Sequence, residues 1–129
     1  MRIQRLDHLV LTVEDIDATI DFYVGLLGME AVTFGAGRRA LAFGESKINL
    51  HRAGSEFEPK ARRATPGSAD LCFIVDPPFG EVLDELKRRG VQLEEGPVQR
   101  TGALGPIESV YVRDPDGNLV EISVYPTGS

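Results

Sequence analysis

An α+β fold built from two tandem β-α-β-β-β units is predicted by three features of the sequence. Apolar strand-like runs, LDHLVLTV at 6–13 and SADLCFIV at 68–75, open two similar halves. Each run leads into a stretch with helical spacing that stops on a glycine, Gly28 or Gly90, and short alternating strands follow in both halves. His8 to Asp70 and Gly28 to Gly90 are both 62 residues apart, a fixed offset that an internal duplication requires.

In the first half, Ile16, Ile20, Tyr23 and Leu27 recur on one helical face behind the N-cap candidate Asp15. Strands are expected at 30–34, 39–43 and 47–51, separated by turn residues at 35–37 and 44–46. In the second half, a strand at 70–75 precedes a helix with Phe79, Val82, Leu83 and Leu86 as its apolar stripe, and strands are expected at 91–94, 109–113 and 118–124. The whole chain, 1–129, is expected to form a single domain of two units, 1–52 and 68–125, joined by a polar connection at 53–67. Matching SKINLH with DGNLVE pairs His51 with Glu121 at an offset of 70. The excess falls in EEGPVQRTGALGPIES, expected to be a Gly/Pro-rich loop, either a cover over substrate or a tolerated surface insertion.

At 129 residues the chain is long enough for a core without covalent staples. A net charge of −6 argues against a duplex nucleic-acid binder, which needs a basic face. No apolar run approaches the roughly 20 residues of a membrane span, and the first residues do not resemble a signal peptide. A cytoplasmic location is the resulting expectation. The one cysteine, Cys72, cannot form an internal disulfide and is expected to be a small buried hydrophobe. DPDGNL at 114–119 lacks the twelfth-position glutamate and flanking helices of a calcium loop and is expected to be a tight turn. Phosphate loops, GxSxG elbows and CxxC pairs are absent from the sequence.

The only two histidines, His8 and His51, lie in strand-like runs, and the repeat matches them to Asp70 and Glu121. Side chains alternate across a strand, so the position of each candidate ligand fixes its face. If the two units curve into a half-open mixed β-barrel, the four can point into one cleft and hold one divalent ion with positions left for water or substrate. The simpler alternative makes each a core or edge residue of its own strand. Burial of such groups without a partner is costly, and all four satisfying the repeat together favours the metal site.

The elements DHLVLTV, FYxxLLGM and DPDGNLVEI, set in paired β-α-β-β-β units, resemble the vicinal oxygen chelate (glyoxalase/bleomycin resistance/extradiol dioxygenase) superfamily over nearly the whole chain. FGESKINLHRAGSEFEPKARRATPGSADLC and EEGPVQRTGALGPIESVYVRDPDGNLVEIS are most similar to the glyoxalase domain-containing protein 5 group, which includes bacterial virulence-associated proteins. The resemblance implies a metal at His8, His51, Asp70 and Glu121, with Glu121 first and Asp70 second as the catalytic carboxylate. It implies one divalent ion from among Zn, Ni, Mn, Fe and Co, a thiol as an optional cosubstrate, and a homodimer. Glyoxalase I enzymes usually carry glutamate where this chain has His51 and histidine where it has Asp70, so the metal chemistry transfers better than the substrate. Arg100, Lys60 and Arg63 are the candidates for binding an anionic substrate group. The leading expectation is a glyoxalase-like lyase or isomerase acting on a small substrate that chelates through neighbouring oxygens. The alternatives are an extradiol-type dioxygenase or epoxide transferase, and a non-catalytic drug- or metabolite-binding module of bleomycin-resistance type.

Overall fold

A computed structural model describes residues 1–126 of the chain and contains both repeats. The elements run β1 (His8–Val13), α1 (Ile16–Leu27), β2 (Glu30–Phe34), β3 (Arg38–Phe43) and β4 (Ser46–Arg52), then β5 (Asp70–Ile74), α2 (Phe79–Arg88), β6 (Glu95–Gly102), β7 (Gly105–Arg113) and β8 (Leu119–Val124). Contacts divide the chain into a first unit, 1–69 with Pro115–Gly117, and a second, 70–114 with the residues from 118 onward. The polar connection at 53–67 thus groups with the first unit. No helix among the described residues is long and apolar enough to cross a membrane.

The first unit forms a sheet in the order β1-β4-β3-β2, with β1 parallel to β4 and the remaining pairs antiparallel. Because side chains alternate, one face collects Leu11, Val13, Leu41, Ile48 and Leu50, all at most 5% exposed, and α1 packs against β2, β3 and β4. Helix α1 starts where Asp15 accepts the Ala18 N–H at 3.1 Å and ends at Gly28, whose φ of 69° suits a residue without Cβ. Ile20 and Tyr23 are its buried apolar side chains. The opposite face of the sheet carries His8, Val10 and Thr12 from β1, Lys47, Asn49 and His51 from β4, Ala42, Ala40 and Arg38 from β3, and Phe34 from β2.

The second unit repeats the order as β5-β8-β7-β6, again with the outer pair β5 and β8 parallel. Its inner layer is Val110, Val112, Val120, Ile122 and Val124, each at most 2% exposed. Here the sequence expectation needs correction, because the sixth strand is not at 91–94. It spans Glu95–Gly102 and pairs with a lengthened β7 through Gly102↔Gly105, so the Gly/Pro-rich segment is a hairpin rather than a loop. Gly96 sits at φ 107°, and a Cβ there would stand 2.7 Å from the Ser109 carbonyl, so this glycine permits a close strand approach instead of marking a loop. The tight turn expected at 114–119 is observed: Asp114 accepts the Asn118 backbone N–H at 2.9 Å and its Nδ2 at 2.8 Å.

Candidate metal centre

Register, not the apolar pattern, sets which residues of the two units correspond. In the first unit His8 pairs with Lys47, and in the second Asp70 pairs with Leu119. His8 therefore corresponds to Asp70 as expected, but the counterpart of Glu121 is Asn49, and that of His51 is Ser123. The pairing of His51 with Glu121 by sequence is thus displaced by two residues. A slip of two leaves every side chain on the same face, so the period-two pattern could not reveal it.

In the first unit, Nδ1 of His8 lies 2.8 Å from the Asp7 carboxylate, and no bond engages its Nε2 among the described residues. Asn49, the diagonal neighbour of His8 on the same face, is 6% exposed, and its Oδ1 is buried without a partner among the described residues. His51 pairs with Thr12, four residues along β1 from His8, an axial displacement of about 13 Å at 3.3 Å per residue. The first unit does not bring the two imidazoles side by side. His51 Nε2 instead lies 3.4 Å from Nη2 of Arg38. A guanidinium can only donate, so Nε2 accepts and the imidazole proton sits on Nδ1, which is buried and has no partner among the described residues. Burial first, and the Arg38 charge second, hold the His51 pKa below its usual value.

In the second unit, Asp70 and Glu121 are diagonal neighbours on β5 and β8 and line one cleft with Glu94, Glu95, Tyr111 and Arg113, of volume about 680 Å³. Glu121 Oε2 accepts the Ser109 hydroxyl at 2.6 Å and the Ser123 hydroxyl at 3.3 Å, and the two serines bond each other at 2.7 Å. Both serines are fully buried, so the carboxylate is fixed from behind. Sequence reasoning missed Ser109 and Asn49; a signal for each lay in the strand periodicity that put them on the ligand face. The Asp70 carboxylate has no hydrogen-bond or ion-pair partner among the described residues. Cys72 is exposed rather than buried as expected, with its thiol 3.4 Å from the Ser123 hydroxyl. Partial burial of that thiol pushes its pKa up, which disfavours a nucleophilic role.

The three candidate anion-binding cations behave differently. Arg100 is engaged by the Tyr111 hydroxyl at 3.1 Å, by Glu95 at 3.3 Å and by the Gln99 carbonyl at 3.1 Å. Lys60 is paired with Glu56 at 3.2 Å. Arg63 is exposed on the connection, with no ion pair among the described residues. Nor, among the described residues, does any group of three or more His, Cys, Asp and Glu side chains stand in positions to hold one metal ion.

The model of the Glyoxalase/Bleomycin resistance protein/Dioxygenase superfamily matches residues 5–122. The chain belongs to this superfamily. It is 61% identical to a virulence protein of Salmonella typhimurium over 125 residues, covering 97% of this chain and 87% of that protein. The crystal structure of that virulence protein superposes with a TM-score of 0.94, covering 97% of this chain and 99% of the solved one. A glyoxalase domain-containing protein of Mycosarcoma maydis is 56% identical, covering 97% of this chain and 70% of that protein. At 30% identity, a biphenyl-2,3-diol 1,2-dioxygenase of Rhodococcus globerulus matches over 93% of this chain and 63% of that enzyme.

Members of the glyoxalase superfamily usually use a divalent metal, and the donors present suit one. The His8–Asp7 contact is the arrangement that orients a metal-binding imidazole through its second nitrogen. Taken by itself, the first unit offers the His8 imidazole nitrogen and the Asn49 amide oxygen, and the second offers the Asp70 and Glu121 carboxylates, donor types that suit a borderline or hard divalent ion. His51 fits less well, because its Nε2 is spent on Arg38 and its Nδ1 is buried.

Proposed function

We propose that the chain is a divalent-metal-dependent lyase or isomerase of glyoxalase type, acting on a small substrate that presents two neighbouring oxygens. One observation carries this reading: Glu121 is held by two buried serine hydroxyls beside Asp70, whose carboxylate has no partner among the described residues, at the edge of a cleft. The proposed ligands are His8, Asp70 and Glu121, with Asn49 in the position first assigned to His51. A divalent ion there supplies Lewis-acid stabilisation for negative charge developing on a substrate oxygen. Asp7 fixes the His8 ring, Ser109 and Ser123 fix Glu121, and either carboxylate can carry a proton between adjacent substrate carbons. Hemithioacetals formed with a thiol cosubstrate are the leading substrates of this reading, and a homodimer is its assembly.

The test is elemental analysis of the purified protein beside His8→Ala and Glu121→Ala, followed by turnover assays with hemithioacetals, catechols and epoxides. We expect a bound divalent ion in the unmodified protein, its loss in both variants, and turnover of a hemithioacetal. Equal metal content in all three proteins would reject the ligand assignment. Oxygen-dependent turnover of a catechol would move the activity to the dioxygenase class.

A further inference from the structure

We infer that the polar face of the first sheet is an anion subsite, built by Arg38 and Lys47 around Phe34, that takes a carboxylate or phosphate group of a small molecule. The Arg38 guanidinium lies 5.1 Å from the Phe34 ring centre and 4.6 Å from that of Phe57, while Lys47 Nζ lies 3.8 Å from the Phe34 centre. Two positive charges therefore share one aromatic ring in a protein of net charge −6. The aromatic faces hold each cation in place, and the repulsion between two like charges beside one ring is a cost that an anion between them would offset.

No carboxylate among the described residues lies within ion-pair distance of either cation. Neighbouring acids are already committed: Glu45 to Arg5 at 3.8 Å, Asp7 to His8 at 2.8 Å and Arg5 at 3.5 Å, and Glu56 to the Gly54 N–H at 2.8 Å and Lys60 at 3.2 Å. Glu30 shares the face but forms no ion pair with them.

The surroundings reinforce the inference. Ala40 and Ala42 separate Arg38 from Lys47 on this face, so the Lys47 side chain crosses a floor of small residues to reach Phe34. Arg38 spends one N–H on the buried His51, which is 4% exposed and turned so that its acceptor nitrogen faces the guanidinium. That bond fixes the orientation of the fork and leaves its other N–H groups for a bidentate acceptor. Half-exposed Phe57 adds an apolar wall, which favours an anion attached to an apolar body. Arg38 and Lys47 differ from the basic residues singled out by sequence, two of which are already neutralised by acids.

This deepens the proposed function by giving the substrate an anionic group, and rests on it only for the word substrate. The experiment is titration of the full-length protein with succinate and, separately, inorganic phosphate, read by calorimetry and by amide chemical shifts, before and after chelator treatment. The expected result is saturable binding with shifts centred on Ala40, Ala42 and Asn49, independent of chelator. Affinity should fall at least about tenfold in Arg38→Gln and in Lys47→Gln but stay unchanged in Arg88→Gln, a change on the exposed side of α2 in the other unit. Tighter binding of one probe names the group as carboxylate or phosphate. Absence of binding at about 10 mM, or equal binding by folded Arg38→Gln and Lys47→Gln proteins, overturns the inference. Loss of metal reading in the elemental analysis leaves this result standing, so the two can fail separately.

Discussion

The two units share a strand order and a register, yet their polar faces carry opposite chemistry. At corresponding positions the first has His8, Lys47, Asn49, His51 and Arg38, and the second has Asp70, Leu119, Glu121, Ser123 and Ser109. The first face gathers cations on aromatic rings; the second gathers carboxylates braced by hydroxyls. In β3 the small residues Ala40 and Ala42 stand where β7 has Tyr111 and Arg113, which explains why a lysine can lie flat across the first sheet. A duplicated scaffold can thus keep its apolar side as the common structural element while the other side diverges. The apolar faces bear this out, with Leu41 matched to Val112 and Ile48 to Val120, all at most 1% exposed.

The sharpest break in that shared scaffold is Leu41→Ala, expected to cost about 2–5 kcal/mol through lost burial and a residual cavity. Its counterpart Val112→Ala removes fewer carbons and should cost less. Denaturant midpoints with unchanged slopes measure both; an equal or larger loss at Val112 would mean that the two cores are not packed alike. On the diverged side, Ser109→Ala removes the 2.6 Å bond that braces Glu121. Metal affinity should fall about 10–100-fold, as for other partners that orient a ligand, while the protein stays folded. Unchanged affinity would show that Ser123 alone positions the carboxylate.

Much of the scaffold was legible because it depends on local chemistry. Asp15 and Gly28 bound the first helix where capping rules place them, and apolar alternation located seven of the eight strands at or near their observed positions. The sixth strand was hidden because Gly96, Pro97, Gly102 and Gly105 read as loop residues, whereas here they serve a bulged strand and a tight hairpin turn. Site residues were legible only as far as facing. The correspondence of His8 with Asp70 follows directly from the repeat, but whether Asn49 or His51 corresponds to Glu121 required register, which a period of two does not encode. Arg38 gave no sequence signal at all, since its role depends on Phe34 and His51 lying on adjacent strands.

Two smaller effects sharpen the comparison within the first unit. Asp15→Ala should cost about 1 kcal/mol by leaving the Ala18 N–H uncapped, with no effect on metal content. A melting-temperature shift with elemental analysis checks both halves of that statement. The second helix has no side-chain cap bond at Pro78, so no equivalent substitution exists there.

His51 gives the smallest expected effect and separates the two faces by pH. Burial and the adjacent Arg38 charge keep its folded pKa below the ordinary 6.5, so the unfolded chain binds the extra proton more readily. Stability contributed by neutral His51 is therefore complete above about pH 6.5 and is lost as pH falls from there through its lowered value. Asp7 and Glu56 are also held low, by the His8 bond and by the Gly54 N–H respectively, but their contributions disappear only below their ordinary values of 3.8 and 4.5. The pH 6.5 to 5 interval thus isolates His51 from these two carboxylates. In His51→Gln an amide oxygen can still accept from Arg38 without titrating. Denaturant midpoints measured across that interval should fall less steeply in the variant than in the unmodified protein. Parallel slopes would show that His51 is protonated without penalty, and that the bond from Arg38 to a neutral ring does not organise the first face.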